Sequence, residues 1–187
     1  VSQGLQGGAS RAADRIDPEF TGYPLQRLAD AALQRAAELG AAHGDFRAEL
    51  IRGQQLEVSD GSLRSLSDTE DLGLAVRVVV DGTWGFASAA DLTVDAAVQA
   101  AHDAVEVARV AAPVNAEPIE LAAEPGYGDV TWVSAYQTDP LSVGVAEKTS
   151  LLADWTSRPL GAPGIVHADA SLHQVRECKF YSDGATT

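Results

Sequence analysis

Residues Glu70–Thr93 read EDLGLAVRVVVDGTWGFASAADLT. Leu74, Val76, Val78 and Val80 fall on one face of an extended chain, and Ala75, Arg77 and Val79 on the other, as in a strand with one buried face. Asp81-Gly82 follows, a pair that accepts the positive φ angles of a tight hairpin turn. After it Trp84, Phe86 and Ser88 alternate with Thr83, Gly85 and Ala87, which predicts the return strand. Thr93 can cap a helix, with Asp95 in its first turn. Val94, Val98, Ala101, Val105 and Ala108 form the expected apolar stripe of that helix. The stretch presents no evident catalytic group or metal ligand, so it reads as scaffold.

Working outward, DFRAELIRGQQLEVSDGSLRSLS repeats the hairpin device. Phe46, Ala48 and Leu50 alternate with Arg47 and Glu49, Leu56 and Val58 continue the alternation, and Asp60-Gly61 makes the turn. Upstream, PLQRLADAALQRAAELG places Leu25, Leu28, Ala32, Ala36 and Leu39 on one helical face. Pro24 suits its first turn and Gly40 its end. Downstream, residues 113–141 lose all periodicity and read as a long connecting loop with a short strand at Val130–Val133. Such long connections often contact a substrate or partner. A third helix is expected from about Ser142 to Trp155, and GIVHADASLHQV and ECKFYSDGATT read as two further strands. The fold class is α+β: an antiparallel, hairpin-rich sheet with amphipathic helices packed on it. Residues 1–22 lack the apolar run of a signal peptide and read as a disordered leader or an expression remnant; residues 23–187 read as one domain. The third Asp-Gly, Asp183-Gly184, is a turn whose return strand is only ATT, so the native chain is expected to continue past Thr187.

Composition narrows the function. The 187 residues carry 27 acidic against 13 basic side chains, a formal net charge of −14. Nucleic acid and anionic membrane surfaces are therefore unfavourable partners, because binding them takes clustered Lys and Arg. The single cysteine closes no internal disulfide, which fits a reduced, cytoplasmic setting. No apolar run is long enough to span a bilayer.

Candidate chemistry is sparse. On a strand His167, Asp169, Ser171 and His173 share one face. Yet the two histidines would lie about 20 Å apart and cannot hold one metal, while His167 and Asp169 could, at roughly 7 Å. The simpler reading is the polar face of a strand whose other face is Val166, Ala168, Ala170 and Leu172. His102 and Glu106 are spaced i, i+4 on a helix, but no third ligand accompanies them, and zinc takes at least three. His43 reads as a loop residue at a helix-to-strand junction. Cys178 lacks a visible base and reads as a small core residue. G-x-S-x-G, Walker and G-x-G-x-x-G motifs are all absent.

The order and spacing of three motifs nevertheless carry a resemblance over about Tyr23–Gly184. They are LRSLSDTEDLGLAVRVVVDGTWGFAS, SAADLTVDAAVQAAHDAV and DPLSVGVAEKTSLL. Together they resemble the N-terminal domain of the TldD/PmbA family of bacterial proteases, the last motif being closer to the TldD branch. The resemblance implies a zinc metallopeptidase of the microcin-maturing type. Its ligands would be an H-E-x-x-x-H helix and a later cysteine, and its glutamate would activate zinc-bound water. It also implies a TldD/TldE-like partner subunit, as homo- or heterodimer, and an unstructured peptide substrate entering a closed chamber. An older label links the family to DNA gyrase, for which the −14 charge offers no physical support. No His-Glu pair occurs here. No catalytic, metal or cofactor residue therefore carries over: zinc is expected in the full-length protein and none in this chain, which alone should be inactive. The competing reading is a self-contained, non-enzymatic binding or regulatory module. A hydrolase built on Cys178 is the weakest of the three.

Overall fold

The structure, a computed structural model, describes residues 16–123 and 125–184. Its helices are α1 (Pro18–Thr21), α2 (Leu25–Glu38), α3 (Val94–Ala111) and α4 (Val145–Ser157). Its strands are β1 (His43–Ser59), β2 (Ser62–Val80), β3 (Thr83–Ala89) and β4 (Asp169–Ser182). They form one antiparallel sheet in the order β3-β2-β1-β4. Both expected hairpins are present. Asp60 and Gly61 have φ 51° and 78°, and Asp81 and Gly82 have φ 49° and 69°. Positive φ at both central residues gives the turn whose twist matches that of the strands.

The chain divides into two compact units. The first holds the described residues of Val1–Leu50, Leu72–Val133 and Cys178–Thr187, and the second Ile51–Asp71 and Ser134–Glu177. In the first unit Phe46, Ala48 and Leu50 of β1 and Leu74, Val76, Val78 and Val80 of β2 pack with α2 and α3. Helix α2 buries Leu25, Leu28, Ala29, Ala32 and Ala36, the predicted face. It ends at Gly40, where Ala41 N donates to Ala36 O at 3.0 Å, the closure that a left-handed residue permits. Thr93 caps α3 as expected, its Oγ1 accepting from Ala96 N at 3.2 Å. The buried stripe of α3, however, is Ala97, Ala100, Ala101, Ala104, Val105 and Ala108, with Val94 and Val98 at its margin. Close packing sets this rotation. A Cβ on Gly85 of β3 would stand 1.9 Å from the carbonyl oxygen of Ala104. The helix backbone therefore rests directly on the strand, and only alanines fit the seam. Arg109 Nη2 donates to Leu39 O at 2.7 Å and ties the ends of α2 and α3 together.

In the second unit Leu56, Val58 and Leu152 form a small core with Val145, Ala153, Ala170 and Leu172 against it. Gly61 N donates to Thr156 Oγ1 at 3.0 Å, which fastens the β1–β2 turn to α4.

Several expectations need correction. Residues 16–22, assigned to a disordered leader, include α1, whose N-cap Asp17 accepts from Glu19 N at 3.0 Å and whose Phe20 is buried; residues 1–15 lie outside the described residues. Residues 130–133 form no strand. The third helix begins at Val145, after a separate 3₁₀ turn at Pro140–Ser142 capped by Asp139. The two strands read after it are a single strand, β4, which starts at Asp169 and runs on without a break through Val175–Glu177. His43 is the first residue of β1, where a loop was expected. The return strand sought after Gly184 falls outside the described residues.

Candidate functional site

A cluster of charge in the first unit lies on the sheet face turned away from its core. Phe46 points into the core, so its neighbours Asp45 and Arg47 point the other way. Asp45 is only 1% exposed. Arg77 reaches it from β2, with Nε and Nη2 each 2.7 Å from Asp45 Oδ2. Arg47 Nε lies 3.2 Å from Oδ1, and His43 Nε2 lies 3.8 Å from Oδ2. Register places Arg77 opposite Phe86 and Val79 opposite Trp84. The Arg77 guanidinium stands 4.5 Å from the centre of the Trp84 ring, and Arg47 stands 5.6 Å from that of Tyr181. Such stacking holds a guanidinium flat and leaves its edge free to donate. Burial, with Asp45 and Asp183 nearby, raises the Tyr181 hydroxyl above its usual range. It remains a neutral donor in this setting.

The second unit contributes a polar cleft of about 310 Å³ lined by Glu57, Val58, Ser59, Arg64, Asp169, Ala170 and Ser171. Beside it the turn residue Asp60 accepts from Ala168 N at 2.9 Å and pairs with His167 Nδ1 at 3.0 Å. The histidine hydrogen bond, then the backbone one, hold Asp60 below the ordinary carboxylate range, and the same carboxylate raises His167. Lys148 of α4 is 4% exposed and donates to Gln54 Oε1 at 2.5 Å, while Gln54 Nε2 donates to Asp68 Oδ1 at 2.8 Å. The amide thus relays a carboxylate's charge to a buried ammonium.

The residues singled out from sequence are not brought together as a catalytic group. His167 precedes β4 and is engaged with Asp60, whereas Asp169 and Ser171 line the cleft. Ala170 and Leu172 pack on the small core, as the polar-face reading requires. His102 lies 3.4 Å from Asp103, and Glu106 pairs with Arg109. Cys178 is buried in the first unit's core. Among the described residues no three His, Cys, Asp or Glu side chains gather where they could hold a metal ion. The donors among the described residues therefore do not assemble a zinc centre. No helix among them is long and apolar enough to cross a membrane. The Asp45–Arg77–Trp84 cluster went unnoticed in the sequence. Its signal was the pair of Asp-Gly turns, which bring the mid-forties, the high seventies and the mid-eighties side by side.

The family model described as PmbA/TldA metallopeptidase domain 1 matches residues 44–108, from the first residues of β1 to the last turn of α3. Over that stretch the chain is similar to the first domain of the PmbA/TldD family. Solved structures share the fold of this first domain. A Bacteroides thetaiotaomicron protein described as a candidate modulator of DNA gyrase is 17% identical with a TM-score of 0.66, over 84% of this chain and 36% of its own. A Thermotoga maritima protein with the same description is 15% identical with a TM-score of 0.62, over 84% and 35%. TldE from Thermococcus kodakarensis is 10% identical with a TM-score of 0.56, over 83% and 35%. The chain thus spans about a third of the length of the solved structures it matches. No curated protein matches it.

Proposed function

We propose that this chain is the N-terminal scaffold domain of a TldD-like zinc metallopeptidase that cleaves unstructured peptides and works with a TldD/TldE-like partner subunit in the cytoplasm. The match of β1 through α3 to a metallopeptidase first domain carries this reading. The zinc ligands and the glutamate base belong to the remainder of the protein, and the present residues contribute shape. Two alanine-faced helices on a twisted sheet make a rigid wall for a peptide chamber, and the acidic surface keeps that wall off nucleic acid and anionic membranes.

The experiment compares the full-length gene product, mixed with its partner subunit, with the 187-residue chain alone. The former should cleave an unstructured peptide in a chelator-sensitive way and hold zinc by elemental analysis. The latter should do neither. Metal-dependent cleavage by the short chain would overturn the assignment, as would a full-length product without an H-E-x-x-x-H helix. In that second case the binding-module reading leads, and the open arginine–aromatic face is the observation that favours it.

A further inference from the structure

The cleft of the second unit carries its charges in a set order. Val58 of β1 and Ala170 of β4 belong to the small core, so their neighbours Glu57, Ser59, Asp169 and Ser171 point to the opposite face of the sheet. These four side chains, with Arg64 of β2, line the cleft of about 310 Å³, a volume at the lower end of the range for small-molecule sites. Strand β1 lies between β2 and β4, and neighbouring strands stand about 4.8 Å apart. A path across the sheet from β2 to β4 therefore meets the Arg64 guanidinium, then the Glu57 carboxylate with the Ser59 hydroxyl, then the Asp169 carboxylate with the Ser171 hydroxyl. Glu57 is held in place, since Gln55 Nε2 donates to its Oε1 and Ser65 Oγ to its Oε2, both at 3.0 Å. Each of these oxygens keeps a lone pair for a further donor. His167 and Asp60 beside the cleft are bonded to each other at 3.0 Å, which leaves two carboxylates, Glu57 and Asp169, facing one cation, Arg64.

We propose that this cleft binds a free α-amino acid with a cationic side chain, its α-carboxylate on Arg64, its α-ammonium on Glu57 and its side-chain cation on Asp169. The order of charges selects this class. The carboxylate and ammonium of an α-amino acid share one carbon and so suit groups on adjacent strands, and the side chain then reaches the strand beyond. Arg64 can take the carboxylate through two parallel N–H donors, and each ammonium gains a charge-assisted bond. Each lining group also selects against a related chemistry. A lining with more carboxylates than cations disfavours simple anions. A diamine would set its cations beside the Arg64 guanidinium with no carboxylate to offer it. An amino acid with a neutral side chain would leave Asp169 unpaired. A metal ion is not suited either, because no three donors gather among the described residues. All three charged groups are exposed, so each pair contributes modestly and the set of three carries the selectivity. The site goes beyond the peptidase reading and does not rest on it, since its test needs neither zinc nor peptide cleavage.

The test is a titration of the 187-residue chain with L-lysine and with L-arginine, followed by amide NMR. Saturable shifts are expected at residues 57–59, 64 and 169–171, with a dissociation constant of about 3 mM or below. Three analogues each remove one group: cadaverine lacks the carboxylate, Nα-acetyl-lysine the α-ammonium and norleucine the side-chain cation. Each should bind roughly fivefold or more weakly than lysine. Nα-acetyl-lysine also stands in for the last residue of a peptide, so its weaker binding separates a free amino acid from a peptide end. Arg64→Gln should weaken lysine by a similar factor without weakening cadaverine, and Asp169→Asn should weaken lysine without weakening norleucine. Both substitutions alter exposed side chains, so circular dichroism should be unchanged. No saturable shift up to about 30 mM ligand, shifts confined to other residues, or any one of the three analogues binding as tightly as lysine overturns the proposal.

Discussion

Gly85→Ala tests how closely α3 sits on β3. The added methyl would stand 1.9 Å from Ala104 O, 2.9 Å from Ala104 C and 2.9 Å from Ala108 Cβ. Two of these atoms are backbone, so no side-chain rotation relieves the clash, and the helix must retreat by more than an ångström. Its whole buried stripe is alanine and valine at 0–3% exposure, so retreat opens gaps along the seam. Overpacking of this kind costs about 1–3 kcal/mol, against a gain of about 0.5–1 kcal/mol from removing glycine's conformational freedom. With both contacts on backbone the upper part of the range applies, and the net loss is ~2 kcal/mol. The melting temperature should fall by about 4–8 °C for a chain of this size. Because the chain has two compact units, a local probe is preferable. Cys178 is the single thiol and lies in the same core, so its labelling rate under native conditions reports opening of that core. A ~2 kcal/mol loss should speed labelling roughly 30-fold. Gly161→Ala is the control, since a Cβ there meets nothing within 4 Å. Labelling of Gly85→Ala within about twofold of the parent chain would refute the close-packing account.

The Asp45 cluster makes an asymmetric prediction. Arg77→Met strips a cation from a carboxylate that is 1% exposed, and should cost ~2–3 kcal/mol in denaturant unfolding. Asp45→Ala frees two arginines that are 38–39% exposed and can turn to water, and should cost less; the reverse order would contradict the placement of the charge. For His167, proton NMR should give a titration midpoint above the ordinary 6.5, moving down in Asp60→Asn, which removes the largest cause of the shift. The raised His167 value contributes stability below pH 6.5 that is lost as pH rises through the folded value. The depressed Asp60 value contributes stability above pH 3.8 that is lost as pH falls through its folded value. The pair is therefore strongest between those limits.

The hairpins, both turns, the α2 face, the Thr93 cap and the fate of Cys178 were legible because each follows from a local rule. Alternation marks strands, Asp-Gly marks turns, and a hydroxyl marks a helix start. The rotation of α3 was not legible. Valine is more hydrophobic than alanine, and only the backbone of β3 at Gly85 reveals that small size outranks hydrophobicity at that seam. β4 was divided in two because Gln174 and Arg176 interrupt its apolar face, although strand continuity depends on backbone pairing. The charge cluster joins three strands distant in sequence, and no window along the chain contains it. For the proposed scaffold role, the sequence supplied only a resemblance, and the zinc-binding motif that the resemblance implies does not occur among these residues.

One feature of β1 constrains how this domain can change over time. Its inward positions, Phe46, Ala48 and Leu50 in one unit and Leu56 and Val58 in the other, are all even-numbered. The strand thus keeps one phase over its whole length. A single inserted or deleted residue between Leu50 and Leu56 would invert that phase for one unit while preserving it for the other. Either Asp45 and Arg47 would be driven into the apolar core, or Leu56 and Val58 would be turned out to water. Length variants of this hairpin should therefore occur in steps of two residues, or carry a bulge that resets the phase.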